Sequence, residues 1–272
     1  MRSWLLAALA LAAPTAPGRA PAPARAPART LTVFAAASLT DAFTELGRTL
    51  EQRQSDLTVR FNFAGSQQLV AQLQQGAAAD VFASADQQWM RTAVDGGLVA
   101  GEPRVFARNR LVVLVPSSNP GRIERLQDLA RPGLKLVLAG EAVPAGKYSR
   151  EVLAKLSAAP GFPSDFARRA LANLVSDEEN VKAVVAKVQL GEADAGLAYR
   201  SDVTPAVASR VHVLEIPEER NVLAEYPIAI VREAADTAGA RAFVELVLSP
   251  EGQRVLGRHG LLPGPVPVAS PR

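Results

Sequence analysis

Thr32-Val33-Phe34-Ala35-Ala36-Ala37-Ser38 and, one unit later, Val59-Arg60-Phe61-Asn62-Phe63-Ala64-Gly65-Ser66 decide the fold. Each is an apolar run that stops at a serine, and each is followed by a helical pattern. Leu39, Phe43, Leu46 and Leu50 share one face after the first, and Leu69, Val70 and Leu73 after the second. Two strand-to-helix handovers in succession predict parallel α/β architecture. Each serine then sits where a strand hands over to a helix, its hydroxyl and the first free N–H groups pointing one way. That is the chemistry of anion capture without a cation. An N-capping serine would occupy the same place, so both readings stand at this point. Asp41 and Glu45 in the first turns after Ser38 suit a helix start and say nothing of a ligand. Gly65 before Ser66 lets backbone approach a ligand closely.

The alternation continues along the chain. Residues 80–85 and 111–115 read as strands, the latter closed by Pro116. A second series follows, with strands at 134–138, 195–199, 211–216 and 226–231. Helices are expected at 148–156, 166–171, from Val181 through Val188, and at 238–248 and 250–257. Three further places carry candidate chemistry. Pro144-Ala145-Gly146-Lys147-Tyr148 has small residues whose consecutive N–H groups could form an anion-binding nest, or it is a plain turn into a helix. Near Val181 two helix starts compete. Ser176 with Glu179 has capping-box spacing and would place Val181 inside the helix, whereas Asn180 as the cap leaves the Val181 N–H free. Tyr199 closes an apolar strand, where its phenol either donates to a ligand or is satisfied inside the core.

Composition narrows the function classes. The 272 residues are 48% hydrophobic and 21% charged, a globular profile long enough for two domains. Residues 1–29 read as an export leader and tether. Met1-Arg2 is followed by an apolar run from Trp4 to Ala13 that is too short to span a bilayer, and then by Ala, Pro, Arg and Gly, with cleavage near Ala20. The formal charge of +3 owes four of its 30 basic residues to this leader. From Thr30 onward 26 basic residues face 27 acidic ones, so a nucleic-acid reading loses its global support. Without cysteine there is no disulfide, thiolate metal site or lipid-modified cysteine. His212 and His259 have no carboxylate at metal-ligand spacing, and no G-x-S-x-G elbow, P-loop or G-x-G-x-x-G occurs.

These residues together resemble a known family. The strand ending Ala-Ala-Ala-Ser-Leu and then Phe63-Ala64-Gly65-Ser66-Gln67-Gln68-Leu69 look like the periplasmic molybdate-binding proteins of ABC-type transporters. The likeness continues through the Ala-Asp-Val-Phe-Ala-Ser-Ala-Asp run that ends at Asp86, then Asn109-Arg110-Leu111-Val112 and Val143-Pro144-Ala145-Gly146. It closes with Tyr199-Arg200-Ser201-Asp202 and Tyr226-Pro227-Ile228. It implies a type II periplasmic binding protein: two mixed-sheet α/β lobes joined by two hinge crossovers. Lobe 1 would be 30–111 with 223–272, and lobe 2 would be 112–222. The implied ligand is molybdate, and tungstate with it, held as an oxyanion by Ser38, Ser66 and Tyr199 and by the backbone N–H groups of Ala145 and Val181. The metal atom itself would touch no protein group. The implied partners are an ABC permease and its ATPase; no cofactor, nucleic acid or membrane span after leader cleavage is implied, and the protein would act as a monomer in the periplasm. The family's C-terminal Arg-Tyr-Gly appears as Arg258-His259-Gly260, which gives His259 a structural role.

Three rivals are weighed against this. The same scaffold could serve sulfate or another oxyanion, an exported hydrolase could use Ser38 or Ser66 as nucleophile, or the scaffold could be a sensor. A shell of donors without a carboxylate favours a fully deprotonated anion, because a protonated one would want an acceptor.

Overall fold

Eleven strands and nine helices account for most of residues 28–265, the part that the computed structural model describes. In chain order the strands are β1 (Arg29–Ala36), β2 (Leu57–Ala64), β3 (Val81–Ala83), β4 (Val99–Asn109), β5 (Leu111–Pro116), β6 (Leu136–Ala139), β7 (Leu174–Glu178), β8 (Ala195–Tyr199), β9 (Val211–Glu215), β10 (Ala224–Val231) and β11 (Leu262–Pro263). The helices are α1 (Thr40–Arg53), α2 (Ser66–Gln74), α3 (Gln87–Asp95), α4 (Pro144–Ser157), α5 (Phe166–Leu171), α6 (Val181–Gln189), α7 (Pro205–Ala208), α8 (Thr237–Leu248) and α9 (Pro250–Arg258). The leader and tether read at 1–29 lie outside the described residues up to Pro27. Arg29 belongs to β1, and its guanidinium pairs with Asp56 at 2.8 Å and Asp236 at 2.9 Å, so the folded chain takes in the last residue read as tether.

The strands form two mixed sheets. The first has the order β11-β4-β10-β3-β1-β2, with β1 parallel to β2 and β3, and β10 antiparallel to β3 and β4. The second runs β7-β6-β8-β5-β9, with β6 parallel to β7 and β8, and β5 antiparallel to β8 and β9. The chain leaves the first sheet at Arg110, between β4 and β5, and returns to it between β9 and β10. Asn221 clasps these two crossings. Its amide donates to the Leu111 carbonyl at 2.8 Å and accepts from the Leu111 N–H at 3.0 Å, as a ladder residue would. Each sheet buries apolar side chains against its helices. In the first lobe Phe43 on α1 packs its ring against Phe106 and Phe243, with centroids 5.6 and 5.3 Å apart, which fixes the helix that follows β1.

Five elements escape the sequence reading, namely α3, β4, β7 and the short α7 and β11. α3 is capped by Asp86, whose Oδ1 accepts from the Trp89 N–H at 2.9 Å, but only Met90 and Ala93 are buried on it. β4 carries Gly101, Glu102, Pro103 and Arg104, and it pairs with β10 through register shifts, so neither alternation nor a continuous apolar run marks it. α4 begins at Pro144 rather than near Tyr148. Proline is favoured at the first helical position, where its missing N–H has no intrahelical acceptor.

Candidate functional site

Parallel pairing fixes the first half of the site. Ala36 on β1 lies opposite Ala64 on β2, so Ser38 and Ser66, each two residues further on, leave the sheet side by side. In the second sheet, α4 follows β6, α6 follows β7 and Tyr199 ends β8. All five sequence-predicted residues therefore sit at the carboxyl ends of strands, the edge at which open α/β sheets bind ligands. The structure brings the five together around a single cavity between the lobes, with Ser38, Ser66, Ala145, Val181 and Tyr199 all on its wall. The cavity is far smaller than the groove beside His259. Only a small solute fits it. None of the residues lining it carries a charge.

Neither serine is a helix cap. Ser38 lies in the single 3-10 turn Ala37–Leu39 ahead of α1, and Ser66 is the first residue of α2, capped by Gly65. The Ser66 hydroxyl instead accepts from the Ala85 N–H at 3.0 Å, which leaves its own hydrogen for the cavity. The Ser38 hydroxyl shares a 2.9 Å hydrogen bond with Tyr226. The nest read at Pro144–Gly146 is the first turn of α4, with Ala145 at its second position. Of the two starts near Val181 the structure takes the second. Ser176 belongs to β7, and Asn180 caps α6 by accepting from the Ala183 N–H at 3.1 Å, so Val181 is first in the helix. The N–H groups of Ser66, Ala145 and Val181 fall in first turns, where no intrahelical acceptor exists. Three helix N-termini thus bring partial positive charge to one cavity.

Tyr199 carries the most direct sign of a ligand. It is 1% exposed, and its buried hydroxyl makes no hydrogen bond of ordinary geometry in the protein, with only the Tyr226 phenol at the margin of reach. Burial raises the phenol well above its ordinary pKa, so it remains a donor throughout the physiological range. Buried polar atoms are nearly always paired, which makes this exception informative.

The cavity is shut by contacts between the lobes. Gln67 donates to the Glu179 carbonyl at 3.0 Å and Gln68 to the Glu179 carboxylate at 3.2 Å. The Trp89 indole donates to the Ala142 carbonyl at 2.8 Å, and Lys147 to Gln88 at 2.8 Å, which uses that lysine as a rim tether. Lys182, next to Val181, reaches Asp41 on α1 at 3.0 Å and the fully buried Asp202 at 3.5 Å. Burial alone would lower the Lys182 ammonium; the carboxylates of Asp202 and Asp41 outweigh it and raise its pKa. Its charge is thereby committed to two acids rather than offered to the cavity.

The hydrolase rival lacks a base. His212 Nε2 lies 3.1 Å from the Ser117 carbonyl, and His259 Nε2 lies 2.8 Å from Glu45 Oε2, so neither faces a cavity serine. The second contact also gives His259 the structural role expected of it. Among the described residues, no helix is long and apolar enough to cross a membrane, and no cluster of His, Asp and Glu is arranged to hold a metal ion.

Comparison with known proteins agrees with this geometry. The sequence profile of the bacterial extracellular solute-binding protein family matches residues 31–262. The molybdate-binding protein ModA of Mycobacterium tuberculosis is 39% identical over 256 residues, covering 94% of this chain and 93% of its own. Among solved structures, the periplasmic molybdate-binding protein of Azotobacter vinelandii superposes with a TM-score of 0.73 at 20% identity, covering 85% of this chain and 98% of its own. The sulfate-binding protein SubI of Mycobacterium tuberculosis gives 0.76 at 16% identity, covering 86% and 87%. At those identities the likeness is one of fold.

Proposed function

The chain belongs to the bacterial extracellular solute-binding protein family, and from that premise we infer that it captures molybdate in the periplasm for an ABC permease and its ATPase. Tungstate, of like charge and shape, would occupy the same site. One observation supports the reading: uncharged residues from two lobes, the proposed donors Ser38, Ser66, Ala145, Val181 and Tyr199 among them, line one small cavity in which the buried Tyr199 hydroxyl makes no hydrogen bond of ordinary geometry. The 39% identity to a molybdate-binding protein supports this choice of oxyanion. A buried dianion must recover its lost hydration through hydrogen bonds, and those to a charged group contribute about 1.5–3 kcal/mol each. Several together suffice for tight binding without a lysine or arginine. An anion gripped by Ser38 and Ser66 from one lobe and by Ala145, Val181 and Tyr199 from the other favours the closed arrangement, which the permease would read. The mature protein would be a leaderless monomer.

Trp89 offers a test. It is the one tryptophan among the described residues, and its indole bonds across the cleft. Titration with molybdate or tungstate is expected to change its fluorescence saturably at one equivalent, and phosphate is expected not to. Emission that responds to none of these anions would contradict the reading.

A further inference from the structure

Several residues in the stretches that carry the family likeness supply no ligand group, among them Asn109, Ser201 and Tyr226. The structure gathers Asn109, Ser201 and Tyr226 into one buried hydrogen-bonded chain that ends on Ser38. Asn109, fully buried at the end of β4, has its orientation fixed, because Oδ1 accepts from the Arg110 N–H at 3.0 Å. Its amide nitrogen therefore faces the other way, donating to Ser201 Oγ at 2.8 Å and to Tyr226 Oη at 3.3 Å. An amide nitrogen has hydrogens and no lone pair to offer. The Tyr226 oxygen is thus an acceptor toward Asn109, and Ser38 Oγ, 2.9 Å away, is placed to receive the phenol's own hydrogen. With the phenol donating, Ser38 keeps its single hydrogen for the cavity. Proline at 227, which cannot donate to a ladder, coincides with a register shift between β10 and β4 at Tyr226/Pro227, the kind of irregularity that re-aims a side chain. The Tyr226 ring also packs edge-on against Tyr199, with centroids 5.8 Å apart.

We propose that Tyr226, oriented by Asn109, is a positioning residue that makes Ser38 an obligate donor and so sets the preference of the site for oxyanions that carry no proton. A free serine hydroxyl can turn and accept from a protonated anion such as hydrogen phosphate; a serine that receives from Tyr226 on its inner side keeps its own hydrogen turned to the cavity, where it meets the hydrogen of such an anion. Ser66, receiving from the Ala85 N–H, is committed in the same sense. The two serines of the first lobe thereby act as a matched pair of donors, one fixed by backbone and one by a side-chain relay.

This inference rests on the oxyanion reading of the cavity, and the test keeps the two apart. The probes are molybdate, sulfate and inorganic phosphate, titrated calorimetrically into the wild type, Tyr226→Phe, Ser38→Ala and the double variant, with the melting of each unliganded protein as a check on folding. The Tyr226→Phe protein is expected to bind molybdate and sulfate about tenfold more weakly. Its affinity for phosphate should fall less, so that the molybdate-to-phosphate ratio narrows. Adding Tyr226→Phe to Ser38→Ala should then cost nothing further, because the tyrosine acts through the serine. Asn109→Asp supplies a second route should the phenylalanine variant fold poorly. A carboxylate there takes the Tyr226 hydrogen, reverses the chain and draws the Ser38 hydrogen away from the anion, weakening molybdate more than Tyr226→Phe does. Additive losses, an unchanged anion ratio, or wild-type affinity in Asn109→Asp would overturn the relay. A wild-type protein that binds no oxyanion would sink the oxyanion reading itself.

Discussion

Tyr199→Phe is expected to weaken molybdate binding by about tenfold to a hundredfold while costing the unliganded protein no stability. The substitution removes one oxygen from a ring that is otherwise kept in its packing against Tyr226. Hydrogen bonds to a charged partner contribute about 1.5–3 kcal/mol, and each 1.4 kcal/mol is tenfold in affinity. The stability arm follows from the same oxygen. It is buried with only a marginal contact to the Tyr226 phenol, so little that holds the fold is lost with it. Calorimetric titration and thermal melting of the two proteins check both arms. A drop in melting temperature with unchanged affinity would make Tyr199 a structural tyrosine and remove the main sign of a ligand.

Gly146→Ala should damage both fold and binding. A Cβ at Gly146 would lie 2.0 Å from the Gly140 carbonyl oxygen and 2.1 Å from that of Ala139. Both are backbone atoms at and just beyond the end of β6, so no rotation relieves the clash. The first turn of α4 must lift by about 1 Å, and a donor–acceptor distance stretched that far past 3 Å is no longer a hydrogen bond. The Ala145 N–H is the donor that moves. The cost should exceed the usual 1–3 kcal/mol of overpacking, lowering the melting temperature by several degrees, and molybdate affinity should fall at least tenfold. Gly257→Ala is the control, since a Cβ there meets nothing within 4 Å. Equal behaviour of the two variants would mean that the seat of α4 on β6 does not matter to the site.

The sequence carried the parts of this account that are local and periodic. The apolar runs ending at Ser38 and Ser66, the strand ending at Tyr199 and the helix from Val181 are legible because burial imposes a period of two or of 3.6 on them. What periodicity left open was hydrogen bonding at the handover points. Ser38 and Ser66 could as well have been caps, and only the pairing of Ser66 with Ala85 and of Ser38 with Tyr226 separates the readings. The choice between Ser176 and Asn180 as a helix start was likewise undecidable locally, because β7 occupies the first candidate through its pairing with β6, a tertiary fact. β4 was missed because its glycine, proline and charges hide a strand that is held by irregular pairing with β10. Asn109 and Tyr226 were visible as motif residues, but no sequence signal says that 117 positions apart they share a hydrogen bond.

A neutral, donor-only cavity should select a fully deprotonated tetrahedral oxyanion of molybdate size. Calorimetric titration of the wild-type protein with molybdate, tungstate, sulfate and phosphate tests it most directly. The expected result is one site per chain, molybdate and tungstate bound alike, sulfate weaker by about tenfold or more because a smaller anion spans the donors poorly, and phosphate weakest of the four. Sulfate bound as tightly as molybdate, or phosphate bound as tightly as either, would contradict it.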